Sequence, residues 1–150
     1  MARSFRYTAD RQIVNTILIP LLKLGLAPRV YSLLTTKGRR TGRPHSVPVT
    51  LIREGARSWL VAPYGAVDWV KNARASGEVR LSYGSMVSHC RTQELPPEDA
   101  APILRTYLRM FPITRAYFSV PPDASIEAFI QEAQTRPVFA LEPRSTQDAS

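Results

Sequence analysis

Short runs rich in β-branched and aromatic residues, separated by glycine- and proline-bearing turns, fill the middle of this chain, and helical spacing takes over toward both ends. Strands are expected at 30–36, 45–53, 58–63, 78–83 and 87–95, with hairpin turns at Glu54-Gly55-Ala56-Arg57 and Tyr83-Gly84-Ser85. Asp10 can cap a first helix that runs to about Leu24 and ends near Gly25, with Pro28 beyond; Pro20 is expected to kink it or divide it in two. Between the third and fourth strands, 67–76 reads as a short helix burying Trp69, Val70 and Ala73. Pro96-Pro97-Glu98-Asp99 starts a longer helix with Ile103, Leu104, Tyr107, Leu108 and Phe111 on one face, and another follows Asp123. Val138-Phe139-Ala140-Leu141 reads as a closing strand. Several short strands around one core, with helices at the edges, describe an α+β, mainly β, small barrel. The expected division is an N-terminal helical segment at 1–29, a barrel domain at 30–143 and a polar tail at 144–150.

Charge changes this picture. The formal net charge is +8, and before Glu54 the only acid is Asp10, so an acidic partner is expected. A single cysteine, Cys90, excludes an internal disulfide, argues against a cysteine-based metal site, and suits a reducing cytoplasm. The first eight residues are polar and show no signal-peptide pattern, and 13–26 is too short and too interrupted by Asn15, Thr16, Pro20 and Lys23 to span a bilayer. Flanked by Arg3, Arg6, Arg11 and Arg29, this segment reads either as a helix packed on the barrel or as one resting on anionic headgroups, peripheral to the inner membrane face.

Candidate chemistry gathers in two clusters. In the first, Thr35 to Val49, Gly38 and Gly42 bound a turn carrying Lys37, Arg39, Arg40 and Arg43, with hydroxyls on Thr41 and Ser46. Taken alone it is either a solvated basic loop or a grip for phosphate or carboxylates. The second cluster runs from Ala62-Pro63-Tyr64-Gly65 into the helix of Trp69, Val70 and Asn72. Its helix start offers free N–H groups; Trp69 stacks on a ligand or anchors the core; an inward Asn72 needs partners on both ends of its amide. No nucleophile–base arrangement, carboxylate pair or metal spacing is visible, and His89 and Cys90, adjacent in a strand, point to opposite faces. Hard chemistry in such a chain belongs to a bound cofactor.

The run Leu34-Thr35-Thr36-Lys37-Gly38-Arg39-Arg40-Thr41-Gly42, followed by Pro44 and Pro48 and later by Trp69-x-x-Asn72, resembles the deazaflavin-dependent nitroreductase family, also described as coenzyme F-420-dependent quinone reductases. That resemblance implies a split β-barrel of the flavin-reductase and pyridoxamine-phosphate-oxidase kind, and hydride transfer from the reduced coenzyme to a quinone, nitroaromatic or other activated acceptor. It implies that Arg39, Arg40 and Thr41 meet the coenzyme phosphate and that His45, Ser46, Val47, Pro48 and Val49 line the deazaflavin. It further implies that Ala62, Pro63, Tyr64 and Gly65 form the opposite wall, closed by Trp69, Val70 and Asn72. Tyr64 stands where the family has a phosphate-binding lysine, which leaves Lys37 or Lys71 to supply that cation. Thr114 stands where some members carry a tyrosine, and Tyr107 and Tyr117 are the nearby candidates for an acceptor pocket.

Other readings use the same residues. Flavin mononucleotide could place its phosphate on the same turn, and a non-catalytic carrier of the coenzyme would need the same contacts. A nucleic-acid module answers to the charge but lacks the exposed aromatic ladder that base stacking needs. The partners expected are a small-molecule acceptor and a second copy of the chain in a homodimer.

Overall fold

Residues 9–144 are described by the computed structural model; Arg3, Arg6 and the tail beyond Arg144 lie outside the described residues. The elements are α1 (Ala9–Leu24), β1 (Tyr31–Lys37), β2 (Pro44–Glu54), β3 (Arg57–Val61), α2 (Asp68–Ser76), β4 (Glu78–Tyr83), β5 (Met86–Glu94), α3 (Pro97–Met110), a 3-10 turn (Pro112–Tyr117), α4 (Ile126–Ala133) and β6 (Val138–Pro143). All strand pairs are antiparallel, and they close in the order β1-β2-β3-β6-β5-β4.

Alternation along the strands sorts side chains between the lumen and the outer face. Leu34, Leu51, Leu60, Val79, Leu81, Cys90, Phe139 and Leu141 fill the barrel, and α2 adds Val70 and Ala73. Cys90 is therefore internal while its neighbour His89 is exposed. The outer face of β2, β3 and β6, through Ile52, Val61 and Val138, is covered by α3 and α4, whose Leu104, Leu108 and Phe129 are fully buried. A third, smaller cluster sets Leu22 of α1 against Ala27 and Leu33.

Two features depart from the expected pattern. Pro20 does not divide the first helix: α1 is continuous from Ala9 to Leu24, because proline removes one hydrogen bond near the helix end while Leu22 still buries against β1. The last helix follows Asp123 as expected and is capped by Ser125, whose side chain accepts from Ala128 N–H at 3.2 Å. The 3-10 turn at Pro112–Tyr117 was not anticipated, since its short span has no apolar period. Among the described residues no helix is long and apolar enough to cross a membrane.

Candidate functional site

The β1–β2 turn owes its shape to its glycines. Gly42 has φ +74°, and a Cβ on Gly38 would meet the carbonyl oxygen of Arg43 at 2.9 Å and the His45 ring at 3.0 Å, so only glycine lets the two arms close. Gly38 N–H donates to Arg43 O and Gly42 N–H to Gly38 O, both at 2.8 Å, and Arg43 N–H donates to Thr41 Oγ1 at 3.2 Å. Thr35 and Ser46 face each other across the ladder with their hydroxyl oxygens 2.8 Å apart.

Asn72 joins this turn to the second cluster. Its side chain, 2% exposed, reaches up from α2. Oδ1 accepts from Arg39 backbone N–H at 3.2 Å and from Arg39 Nη1 at 2.9 Å, while Nδ2 donates to Thr36 Oγ1 at 3.2 Å. Both ends of the amide are thus used, as a buried amide requires. Arg39 Nη2 also stands 3.5 Å from Asp68 Oδ1, a carboxylate that is mostly solvent-exposed. Arg40, Thr41 and Arg43 are left on the exposed tip.

Beside the turn, β2 is half open. Its ladder with β3 begins only at Leu51↔Leu60, so from Pro44 to Thr50 it pairs with β1 alone among the described residues. Val47 and Val49 of this strand, with Val67 and Trp69, are half-buried and packed against the barrel core. Trp69 lies 5.9 Å from Phe139 between ring centroids, which anchors α2 on the barrel. Ala62 is buried; Pro63 and Tyr64 are half-buried at the end of β3; Gly65 takes φ +84°. On the other side of the turn, where β1 and β4 diverge beyond Thr35↔Arg80, a cleft of about 190 Å³ opens among Lys37, Gly42, Pro44, Arg80 and His89.

The structure therefore brings the two clusters together through Asn72, and it sets both tyrosines of the expected acceptor pocket in or against the hydrophobic cluster under α3 and α4. Tyr107, on the buried face of α3, is 4% exposed, its hydroxyl 3.2 Å from Thr50 Oγ1 and its ring 4.8 Å from Phe111. Tyr117, half-buried, packs edge-to-face on Tyr64 at 4.8 Å and 80°. Lys71 is exposed on α2. Glu132 and Arg136 were missed by sequence reasoning, although their i,i+4 spacing could have flagged them.

Comparison with known proteins gives a family and a fold. Residues 23–119 match the family model described as F420H(2)-dependent quinone reductase. A protein solved as a domain-swapped dimer superposes with a TM-score of 0.58 at 21% identity, covering 89% of this chain and 100% of that one. An F420-H2 dependent reductase superposes with a TM-score of 0.54 at 23% identity, covering 76% of this chain and 95% of its own. A putative pyridoxamine 5'-phosphate oxidase from Listeria innocua gives 0.54 at 12% identity, covering 78% and 86%. At these identities the superpositions establish the fold, a split barrel of the pyridoxamine-phosphate-oxidase kind.

Proposed function

This chain belongs to the F420H(2)-dependent quinone reductase family, and from that membership we propose that its β1–β2 turn and the open edge of β2 hold the coenzyme while a quinone or nitroaromatic acceptor enters beside Tyr117. The protein is a deazaflavin-dependent oxidoreductase with coenzyme F-420 as its cofactor. The placement is supported most by the Asn72 bridge. Lys37, Arg39, Arg40 and Arg43 fall within seven residues, and like charges ~7 Å apart in water repel by roughly 0.6 kcal/mol per pair. Gathering such charges on one turn costs the free protein repulsion, which the Asn72 bridge offsets and a bound anion would relieve.

The residues fit a coenzyme that is planar at one end and anionic at the other. Arg40, Thr41 and Arg43 on the exposed tip offer guanidinium and hydroxyl donors to a phosphate, and Arg39 stays aligned through Asn72 and Asp68. Val47, Val49 and Trp69 supply an apolar floor, and the free N–H and C=O groups of the β2 edge can read the rim of a flat heterocycle. When bound, the reduced coenzyme supplies the hydride. What this chain contributes is orientation and exclusion of water, and this reading assigns no proton transfer to a side chain. Lys37 and Lys71 both remain exposed and able to supply the cation that Tyr64 does not.

Titration with purified oxidised coenzyme, followed by its fluorescence, tests the placement. Arg39→Ala/Arg40→Ala should weaken binding at least about tenfold while shifting the melting temperature little; equal losses of binding and stability would speak for a structural turn. A yellow protein on purification would instead indicate bound flavin mononucleotide.

Two wider parts of the reading are tested separately. A homodimer, which one structural relative's description as a domain-swapped dimer supports, would show in light scattering. Contact of α1 with a membrane surface, supported by exposed Ile17, Leu24 and Leu26 beside Lys23, would show as co-sedimentation with anionic vesicles. The cytoplasm is the compartment proposed, where the buried Cys90 thiol stays reduced.

A further inference from the structure

We propose that Glu132, in the last turn of α4, and Arg136, in the turn that follows it, form a clamp that holds Tyr117 against Tyr64 and so fixes which acceptors fit beside Tyr117; this rests on the acceptor placement proposed above. At its centre is a buried carboxylate that the coenzyme site does not use. Glu132 is 7% exposed, and a charge so placed needs partners. Its Oε1 accepts the N–H of Ser119 at 3.1 Å and lies 3.8 Å from Arg136 Nε, one helical turn on. Arg136 donates from Nη2 to the carbonyl oxygen of Tyr117 at 2.6 Å, and its guanidinium carbon is 5.6 Å from the Phe118 ring centroid. Two side chains, one from the last turn of α4 and one from the turn after it, therefore hold the backbone on both sides of Phe118. The 3-10 turn ends at Tyr117, where Phe118 N–H donates to Arg115 O at 3.2 Å.

The turn after α4 also seats Tyr64. A Cβ on Gly65 would lie 3.3 Å from Thr135 O and 3.9 Å from Arg136 Nη1, and Ala62 N–H donates to Pro137 O at 2.9 Å. Tyr64, between Ala62 and Gly65, is thus seated against 135–137 while its ring meets Tyr117. One guanidinium spans the junction. Being planar and multiply donating, it can hold Tyr117 O while its other edge lies along Gly65, which a single ammonium cannot do. Glu132 and Arg136 act here as positioning residues, through the backbone of the tyrosine they hold.

The test uses the full chain carrying Arg136→Met, Arg136→Lys, Tyr117→Ala and the Tyr117→Ala/Arg136→Met pair. Hydrogen exchange should show faster amide exchange in R136M at 117–119 and at 64–65 together, with the β1–β2 ladder unchanged. With a planar quinone, R136M should raise KM about tenfold with a much smaller change in kcat, R136K should recover part of the loss, and coenzyme affinity should move less than about threefold. Because Arg136 acts through Tyr117, the double variant should be no worse than Y117A alone. Unchanged exchange at 117–119 in R136M, or effects that multiply in the double variant, would overturn the clamp. A wild-type protein that binds the coenzyme yet reduces neither quinones nor nitroaromatics would instead overturn the acceptor placement, whatever the exchange shows.

Discussion

Replacing Asn72 by alanine separates what holds the cationic turn from what the turn binds. The substitution removes three hydrogen bonds at once: two that Oδ1 accepts from Arg39 and one that Nδ2 donates to Thr36. Thr36 is 2% exposed, so its hydroxyl would be left without water and without its amide partner, at a cost of about 1–3 kcal/mol. The Arg39 groups are partly open to solvent, and water can replace their acceptor, which limits each to about 0.5–1 kcal/mol. The total is about 2–5 kcal/mol, or roughly 4–20 °C in melting temperature for a domain of this size.

Binding should suffer as well. With Arg39 released, residues 39–42 must be reordered whenever the coenzyme docks. Part of the ~1 kcal/mol or more per residue that ordering a backbone requires then falls on the binding step, so at least a tenfold weaker Kd is expected, or about 1.4 kcal/mol. The assays are urea unfolding followed by the fluorescence of Trp59 and Trp69, and coenzyme titration well below the unfolding midpoint. Asn72→Asp keeps an acceptor for Arg39 and cannot donate to Thr36, so it should fall between wild type and alanine in affinity. A stability loss below about 0.5 kcal/mol, or an unchanged Kd in the alanine variant, would refute the bridge.

Other expectations follow from single contacts. Gly38→Ala should destabilise by about 1–3 kcal/mol in a thermal melt, because its Cβ would press on Arg43 O and the His45 ring. Tyr107→Phe should cost about 0.5–1.5 kcal/mol through its hydrogen bond with Thr50 and leave acceptor KM unchanged, since this ring is core; a selective KM change would return it to the pocket. Burial pushes the Cys90 thiol above its usual ionisation range, outweighing the opposing contact with Ser88. The unfolded chain then loses this proton first. The contribution of the group to stability is complete below the ordinary thiol pKa and is lost as pH rises through the folded value. Iodoacetamide at mildly alkaline pH should label native protein far more slowly than protein in urea, and equal rates would contradict the buried placement.

Much of this molecule was legible in single residues. The strands and helices fall within a few residues of their expected positions, because period-two and period-3.6 patterns are local properties that survive whatever packs against them. The cationic turn was legible for the same reason: its glycines, cations and hydroxyls are contiguous, and the resemblance they carry covers the part of the chain that matches the family. The alternation that sends Cys90 inward also puts His89 outside, as the spacing required.

Tyr107 shows where local pattern stops. Its apolar spacing put it on the correct helix face, but which side of a packed helix meets core and which meets a pocket depends on the neighbour, here Thr50 of β2. The sequence by itself determined the elements, the faces of the strands and the chemistry of the turn. The tertiary structure alone decided that Asn72 would reach Arg39, 33 residues away, that β2 would leave its first half unpaired with β3, and that Arg136 after α4 would hold Tyr117. Those contacts come from closing β6 between β3 and β5 and from seating helices on the resulting surface. Such long-range closure leaves no periodic trace in the residues it joins, because its free energy comes from burial shared across the whole barrel.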